Sequence, residues 1–245
     1  MHGRTVLRIT GSDSTNFLQN LITNDMARLG DGLVWTALLT PQGKYLADFF
    51  LLRDGDSVLL DVADSLAQGL AQRLTLYKLR ADVKIEATDI QPSRGPGLAP
   101  AGAFADPRHA EMGWRAYDGR ADQPADWDAL RVEHLIPETG IELVPNESYP
   151  LEVGLERLHG VDFKKGCYVG QEVTARMKHK TELKKGLAQV EIDGDASVGT
   201  EITTPDGKPA GTLYTQSNGK AIAYLRFDRA VVDMKAETAT LRRIF

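Results

Sequence analysis

Cysteine is almost missing from this chain, since Cys167 is the only one in 245 residues. A single thiol excludes an intramolecular disulfide, and it cannot by itself supply the three or four thiolates that usually hold structural zinc or an iron–sulfur cluster. The five histidines show no ligand spacing, so we predict no resident metal. A metal centre that involves Cys167 would need a partner chain.

Long apolar runs and an excess of positive charge are missing too. No segment approaches the roughly 18 apolar residues of a membrane span, and the N-terminus lacks the apolar core of a signal peptide. We therefore expect no membrane partner and a cytoplasmic location. The net charge of −5 argues against direct nucleic-acid binding. With 42% hydrophobic residues, the chain can still build a real core.

Residues 1–90 have the pattern of an α+β unit. Periodicity and turn signals predict strands at 5–10, 33–40, 44–53, 57–62 and 82–88, a helix from about 13 that ends between 24 and 29, and a helix over 64–79. The second and third strands form a hairpin through Thr40–Gly43. This order is typical of a largely antiparallel sheet with packed helices.

The rest of the chain divides into three segments with different sequence patterns. Residues 91–107 are rich in Pro, Gly and Ala, and predict a connector or an exposed loop. Helices are expected over 127–134 and from Gly166–Tyr168 through Arg176. After Gly186, short alternating strands at 187–192, 200–204, 209–216 and 219–227 predict a separate small β-barrel or sandwich.

Asp48 is an acid in an apolar strand. Alternation places Leu46, Phe50 and Leu52 on its face, and Tyr45 on the opposite one. Burying a carboxylate costs several kcal/mol unless it is paired, protonated or facing a cavity. Asp48 is therefore either satisfied by backbone amides or an arginine such as Arg53 or Arg80, or it lines a ligand pocket.

Cys167 lies in the octapeptide Lys165–Glu172, between two glycines and ahead of a Gln-Glu pair. The expected helix and the neighbouring Lys164 or Lys165 would favour its thiolate. A lone cysteine is commonly a small buried hydrophobe, but its glycine-flanked, polar setting is a poor one for a core position. The thiol is therefore potentially reactive.

Positive charge is concentrated around this octapeptide. Residues 164–185 contain seven basic and two acidic residues, so the segment carries +5 and the remainder −10. The segment is either a solvated helix face or an anion site. Glu152, in an apolar stretch, is either a surface acid beside Arg157 or a carboxylate that accepts paired N–H donors from a heterocycle.

At these residues the chain resembles the YgfZ proteins, folate-binding relatives of the glycine cleavage T-protein (aminomethyltransferase). Lys165–Glu172 is similar to their K-G-C-Y-x-G-Q-E signature, and Phe17–Asp25 to their F-L-x-x-x-x-T-N-D helix. Pro41–Asp48 resembles their hairpin, and Leu151–Leu155 their L-E-x-G-L segment. The resemblance implies an α+β cloverleaf: two lobes, about 1–90 and 91–185, around a central folate hole, with a C-terminal β-barrel over 186–245.

The resemblance also implies roles for individual residues. Asp48 lies where T-proteins keep the acid beside N10 of tetrahydrofolate, and Glu152 where they keep the carboxylate that grips the pterin. The segment from Arg176 to Lys185 would suit the glutamate tail. We thus predict catalytic roles for Cys167 and Asp48, and a folate site formed by Asp48, Glu152, Lys165, Gly166, Tyr168, Gly170, Gln171, Glu172 and Arg176.

Three functions follow as alternatives. T-proteins lack the cysteine signature, which favours the YgfZ branch, whose members assist maturation or repair of [4Fe–4S] enzymes, including radical-SAM tRNA-modifying ones. The first reading is therefore a folate-dependent accessory factor whose Cys167 meets a cluster or thiol on an iron–sulfur client or assembly protein. The second is a one-carbon transferase that uses Asp48. The third is a folate-sensing interaction protein with a structural cysteine.

Overall fold

A computed structural model describes residues 3–179, 182–230 and 233–244. Its N-terminal part is a five-stranded antiparallel sheet in the order β2-β3-β4-β1-β5. Two helices accompany the sheet: α1 (Ser14–Gln19) and α2 (Asp64–Tyr77). The strands are β1 (Arg4–Thr10), β2 (Val34–Leu39), β3 (Tyr45–Asp54), β4 (Ser57–Ala63) and β5 (Lys84–Ala87).

Both faces of this sheet are covered, which explains why its central strands are apolar at nearly every position. On one face, α1 and α2 pack to form the helix-side core, which includes Leu18, Phe49, Leu51, Leu70 and Leu74. On the other face, irregular chain from residues 136–161 packs to form the loop-side core, which includes Trp35, Phe50, Ile136, Leu143 and Leu158.

The first helix is shorter than its apolar pattern predicts. It ends at Gln19, and the expected end between 24 and 29 is wrong. The chain leaves the helix because Ile22 pairs with Leu38 of β2, and the amide of Thr23 donates to the carbonyl of Ala37 at 3.0 Å. A separate 3-10 helix follows over Met26–Gly30, and the side chain of Asp25 caps its start by accepting from the amide of Ala27.

Residues 93–116 form a small three-stranded sheet, so the predicted connector over 91–107 is wrong in part. Its strands are β6 (Ser93–Gly95), β7 (Phe104–Ala105) and β8 (Trp114–Ala116), in the order β6-β8-β7. Strands of two or three residues are too short to show alternation. A 3-10 turn at Ala110–Met112 and helix α3 (Trp127–His134, as predicted) follow.

The last helix, α4, spans Gln171–His179, so its predicted start at Gly166–Tyr168 is wrong. Gly170 has φ +83°, a left-handed conformation. It separates residues 165–170, which we call the octapeptide loop, from the helix. Within the described ranges, none of the helices is long and apolar enough to span a membrane.

A closed six-stranded barrel forms the C-terminal part, with strand order β10-β11-β12-β9-β14-β13. The predicted barrel is confirmed, whereas its last two strands were not predicted, because they are only three and five residues long and give little periodic signal. The strands are β9 (Lys185–Asp193), β10 (Glu201–Thr203), β11 (Pro209–Ser217), β12 (Lys220–Arg226), β13 (Met234–Ala236) and β14 (Ala239–Arg243).

Candidate functional site

The octapeptide Lys165–Glu172 packs directly against the turn of the β2–β3 hairpin. A Cβ added at Gly170 would lie 2.5 Å from the carbonyl oxygen of Thr40, and one added at Gly43 would lie 2.8 Å from Cβ of Val173. Both glycines also have positive φ, +83° and +76°. Two motifs that are far apart in sequence therefore meet at a contact between backbones that only glycine permits.

Lys165 fastens the octapeptide to the first helix. Its ammonium group donates to the carbonyl oxygens of Gln19 and Ile22, each at 2.6 Å, and lies 5.0 Å from the ring centre of Tyr168. Burial lowers the pKa of Lys165 to about 8. The expectation that this lysine acts on the thiol is not supported, because its charge is directed at the end of α1.

Cys167 is exposed and has no disulfide partner. The side chains of Tyr168 and Val169 pack against the loop-side and helix-side cores respectively, so the loop is anchored directly after the thiol. Helix α4 begins four residues after Cys167, which is too far for the helix dipole to act on the thiol as predicted. The structure thus presents an accessible thiol on a firmly held loop.

Asp48 lies in the loop-side core and is only 6% exposed. Its Oδ2 accepts from Nε1 of Trp35 at 2.9 Å, and its Oδ1 accepts from the hydroxyls of Tyr45 at 2.7 Å and Thr139 at 2.5 Å. The alternative of backbone amides, Arg53 or Arg80 as partners is wrong. The prediction for Tyr45 is wrong as well, because an irregularity in the β2–β3 register turns it onto the face of Asp48.

Glu152 is buried, with 8% exposure, so the reading as a surface acid beside Arg157 is wrong. Its Oε2 accepts from the hydroxyl of Tyr224 at 2.6 Å and lies 3.8 Å from Nζ of Lys185. Burial, and then the hydrogen bond to Glu152, raise the pKa of Tyr224. Arg157 instead donates to the carbonyl oxygens of His134 and Leu135.

Glu152 forms part of the wall of an open cavity of ≈ 460 Å³ between α4 and the barrel, which we call the Glu152 cavity. Met177 and Leu183 provide apolar surface. Cations outnumber acids on its wall, since four basic side chains stand against Glu152 and Glu182. The basic ones are Arg176, Lys184, Lys185 and Arg226.

The predicted site residues thus lie in three places: the Glu152 cavity, the octapeptide that leads into α4, and the loop-side core, where Asp48 lies. Glu152 and Arg176 share the Glu152 cavity, while Lys165, Gly166, Cys167, Tyr168 and Gly170 form the loop that precedes α4. Gln171 and the exposed Glu172 begin that helix. Asp48 does not line the Glu152 cavity in the described part of the chain. Lys180, from the basic segment, lies outside the described residues.

Sequence reasoning missed the contribution of the barrel. Tyr224 and Arg226 reach Glu152 and its cavity from β12, more than 70 positions later in the chain. No local pattern marks them, because only closure of the barrel brings β12 to this place. Within the described residues, no group of three or more His, Cys, Asp or Glu side chains is arranged to hold a metal ion.

The whole fold matches a solved structure, glycine cleavage system aminomethyltransferase T from Bartonella henselae. The TM-score is 0.76 at 13% sequence identity, over 98% of this chain and 82% of that one. Residues 184–244 match the family model described as CAF17, C-terminal beta-barrel domain. The class that these matches define is a protein with the T-protein fold that ends in a CAF17-type barrel.

Relatives that match most of this chain narrow the class. The protein named iron-sulfur cluster assembly factor IBA57, mitochondrial, is 30% identical in Homo sapiens over 277 residues and 29% identical in Mus musculus over 273 residues. Each match covers 92% of this chain and 76% of the relative. The chain belongs to the IBA57 family, and the predicted resemblance to YgfZ proteins is confirmed.

The predicted cytoplasmic location is wrong by the same comparison, because these relatives are mitochondrial proteins. The prediction relied on the lack of an apolar N-terminal segment. That feature argues against secretion, but it does not distinguish the cytosol from the mitochondrial interior.

Proposed function

We propose that this protein assists the maturation or repair of iron–sulfur enzymes, with Cys167 as the group that meets a cluster or a thiol on a partner protein. The observation that carries the proposal is the exposed thiol on a loop clamped by Lys165 and by the Gly43–Gly170 contact. A rigid loop lowers the ordering cost of engaging a partner. Family membership supports the iron–sulfur part of the proposal.

The partner must bring the cluster, because one thiol cannot hold it alone. We propose iron–sulfur assembly proteins and [4Fe–4S] client enzymes as these partners, tRNA-modifying enzymes among them. A cluster that passes between proteins needs a ligand that reaches solvent from an anchored segment. Cys167 is exposed and directly precedes two residues that pack against the cores.

We further propose that the Glu152 cavity binds a tetrahydrofolate. Glu152 is a buried carboxylate and so suits the paired N–H donors of a pterin edge. Arg176, Lys184, Lys185 and Arg226 suit the carboxylates of the glutamate tail. The volume of ≈ 460 Å³ lies within the range of small-molecule sites.

The arrangement around Asp48 gives no support to a one-carbon transferase. Its carboxylate already accepts three hydrogen bonds inside the loop-side core, and it does not line the Glu152 cavity as described. A base that acts on a folate nitrogen needs to reach it directly or through one water. We therefore favour an accessory role over turnover.

The thiol is tested by complementation in a strain that lacks the endogenous protein. We expect Cys167→Ala and Cys167→Ser to fail to restore the activity of a [4Fe–4S] enzyme, such as a tRNA methylthiolation enzyme, while a cluster-free enzyme is unaffected. Gly166→Ala is the matched control, because an added Cβ there meets no atom within 4 Å. Full restoration by Cys167→Ala would refute the thiol role.

Folate binding is tested by calorimetry with tetrahydrofolate on the purified protein. We expect saturable binding that Glu152→Gln weakens at least about tenfold, because the carboxylate loses a charge-assisted pair. Arg73→Gln, an exposed position on α2, should bind as the wild type does. Absence of binding by the wild type would refute the folate part and leave the thiol proposal standing.

A further inference from the structure

A second cavity, of ≈ 430 Å³, shares no lining residue with the Glu152 cavity. We call it the Arg94 cavity. Its walls come from β1, from β6 and β8 of the small sheet, and from α3. Ser93, Arg115 and Arg131 are its buried lining residues, while Asp122, Asp126 and Asp128 are exposed at its rim.

Two consecutive lining residues of this cavity each have a buried polar atom with no hydrogen-bond partner in the described part of the chain. They are the hydroxyl of Ser93, a residue only 5% exposed, and Nε of Arg94, which is itself shielded from solvent. Buried polar groups in native proteins are nearly always paired, and each exception needs an explanation. A bound group that accepts from both atoms would supply one.

Arg94 also stands apart from the other arginines of the cavity. Arg4 and Arg115 pair with Asp61, at 2.5 Å and 3.5 Å, and Arg131 pairs with Glu142 at 3.0 Å. Among the described residues, the guanidinium of Arg94 has no ion-pair partner. Its guanidinium carbon lies 4.1 Å from the ring centre of Trp127, and stacking on a ring leaves the N–H groups in the guanidinium plane available for hydrogen bonds.

The surroundings leave the charge of Arg94 poorly compensated. Burial, followed by repulsion from Arg115, lowers the pKa of Arg94 to about 10, so the side chain stays charged near neutral pH at a cost. Glu138 and Asp122 act on this charge from a distance only. Asp122 instead accepts from the backbone N–H of Arg94 at 2.8 Å.

We propose that the Arg94 cavity binds a small molecule through a carboxylate, held by the guanidinium edge of Arg94 and the hydroxyl of Ser93. A carboxylate matches a guanidinium edge in planar, two-pronged fashion. A doubly charged phosphate would accept hydrogen bonds from the same donors, but the acidic rim of Asp122, Asp126 and Asp128 would repel it more strongly. The proposal does not rest on the folate or thiol proposals.

The site is tested by titrating acetate into the isotope-labelled protein and following the Nε–H signals of the arginines by NMR, with chloride held constant. We expect the Arg94 signal, and the indole N–H signal of the neighbouring Trp127, to shift saturably. Arg94→Gln should abolish the perturbation at the indole N–H of Trp127. Arg73→Gln, an exposed arginine of α2, should leave it intact.

Ser93→Ala separates binding from folding. Because the hydroxyl is unpaired in the free protein, its removal should leave thermal stability unchanged or higher. It should also weaken acetate binding by at least about tenfold, the value of one hydrogen bond to a charged group. A loss of stability without any change in acetate affinity would mean that Ser93 has a purely structural role, and would overturn its place in the site.

Three further results would overturn the proposal. The first is an Arg94 signal that does not respond to acetate. The second is tighter binding of inorganic phosphate than of acetate at equal ionic strength, which would make the site a phosphate site. The third is competition between tetrahydrofolate and acetate at Arg94, which would make this cavity part of a folate site.

Discussion

At the scale of single residues, the two predicted acids have different environments. Asp48 is held by three neutral donors in the loop-side core, whereas Glu152 has a tyrosine and a lysine beside it at the edge of a cavity. A carboxylate that accepts from several fixed donors is stabilised without a counter-ion. The chemistry available to each acid is therefore decided by its neighbours rather than by its residue type.

Asp48→Asn should destabilise the protein by about 1–2 kcal/mol, the value of one or two buried hydrogen bonds. The amide oxygen can still accept from Trp35, but the NH₂ group would lie where Tyr45 and Thr139 now donate, so at least one hydroxyl loses its acceptor. Urea unfolding measures the effect. Asp56→Asn, in an exposed turn, is the control, and equal stability of the two variants would contradict the assignment of donors.

His109 should make stability sensitive to acid. Partial burial and the stacked His134, whose ring centre lies 4.1 Å away, lower the pKa of His109 from 6.5, with Glu111 and Asp106 opposing the shift and Arg157 adding to it. Its Nδ1 also accepts from the amide of Glu111 at 3.2 Å. The unfolded chain therefore binds the proton more readily, and stability falls as pH decreases below about 6.5.

His109→Asn checks this pH dependence, because asparagine keeps a capping acceptor but does not titrate. We expect the unfolding free energy of the variant to fall less steeply than that of the wild type between about pH 6.5 and pH 5. Parallel curves for the two proteins over this interval would show that His109 contributes nothing to the acid sensitivity.

At the scale of elements, the octapeptide loop and the β2–β3 hairpin form one structural unit. Gly170 and Gly43 lie at their contact, and Lys165 ties the same loop to α1. Three sequence segments that resemble family motifs thus support each other in space. The position of Cys167 depends on all three, although the cysteine itself packs against none of the cores.

Gly170→Ala should destabilise the protein by about 2–3 kcal/mol, since the new Cβ meets a backbone carbonyl and the residue keeps a positive φ. Gly166→Ala, in the same loop, has open space around the new Cβ and should be nearly neutral. Thermal unfolding compares the two variants, and hydrogen exchange in 165–170 reports whether the loop loosens. Equal effects of the two substitutions would contradict the proposed packing.

At the scale of the whole molecule, a buried polar network joins the barrel to the α+β part. Glu142, only 1% exposed, accepts from Arg131 at 3.0 Å and from the hydroxyl of Thr215 on β11 at 2.6 Å. Arg131 also donates to that hydroxyl at 2.8 Å. We propose residues 1–185 and 186–245 as separate domains that this network holds in a fixed orientation.

Glu142→Gln should cost about 2 kcal/mol or more, because Arg131 would lose its fully buried carboxylate partner and keep only the more exposed Asp128 and Glu138 as counter-ions. Glu133→Gln is the matched control: Glu133 also joins α3 to the barrel, through Lys220 at 2.7 Å, but on the surface, so its loss should cost less than about 1 kcal/mol. Chemical denaturation measures both. A smaller loss for Glu142→Gln than for Glu133→Gln would refute the role of the buried network.

The sequence by itself determined the strands of the N-terminal sheet, α2, α3, the presence of a C-terminal barrel and the family, because periodicity and contiguous motifs are local properties. Only the tertiary structure decided where α1 ends, where α4 begins, which face Tyr45 occupies and what surrounds each acid. Pairing of Ile22 with Leu38 and the approach of Tyr224 to Glu152 join residues that are distant in the chain, and the register shift between Tyr45 and Ala47 depends on how two strands pair. The lone thiol is visible in the sequence, but its exposure on a clamped loop results from contacts that no local pattern encodes.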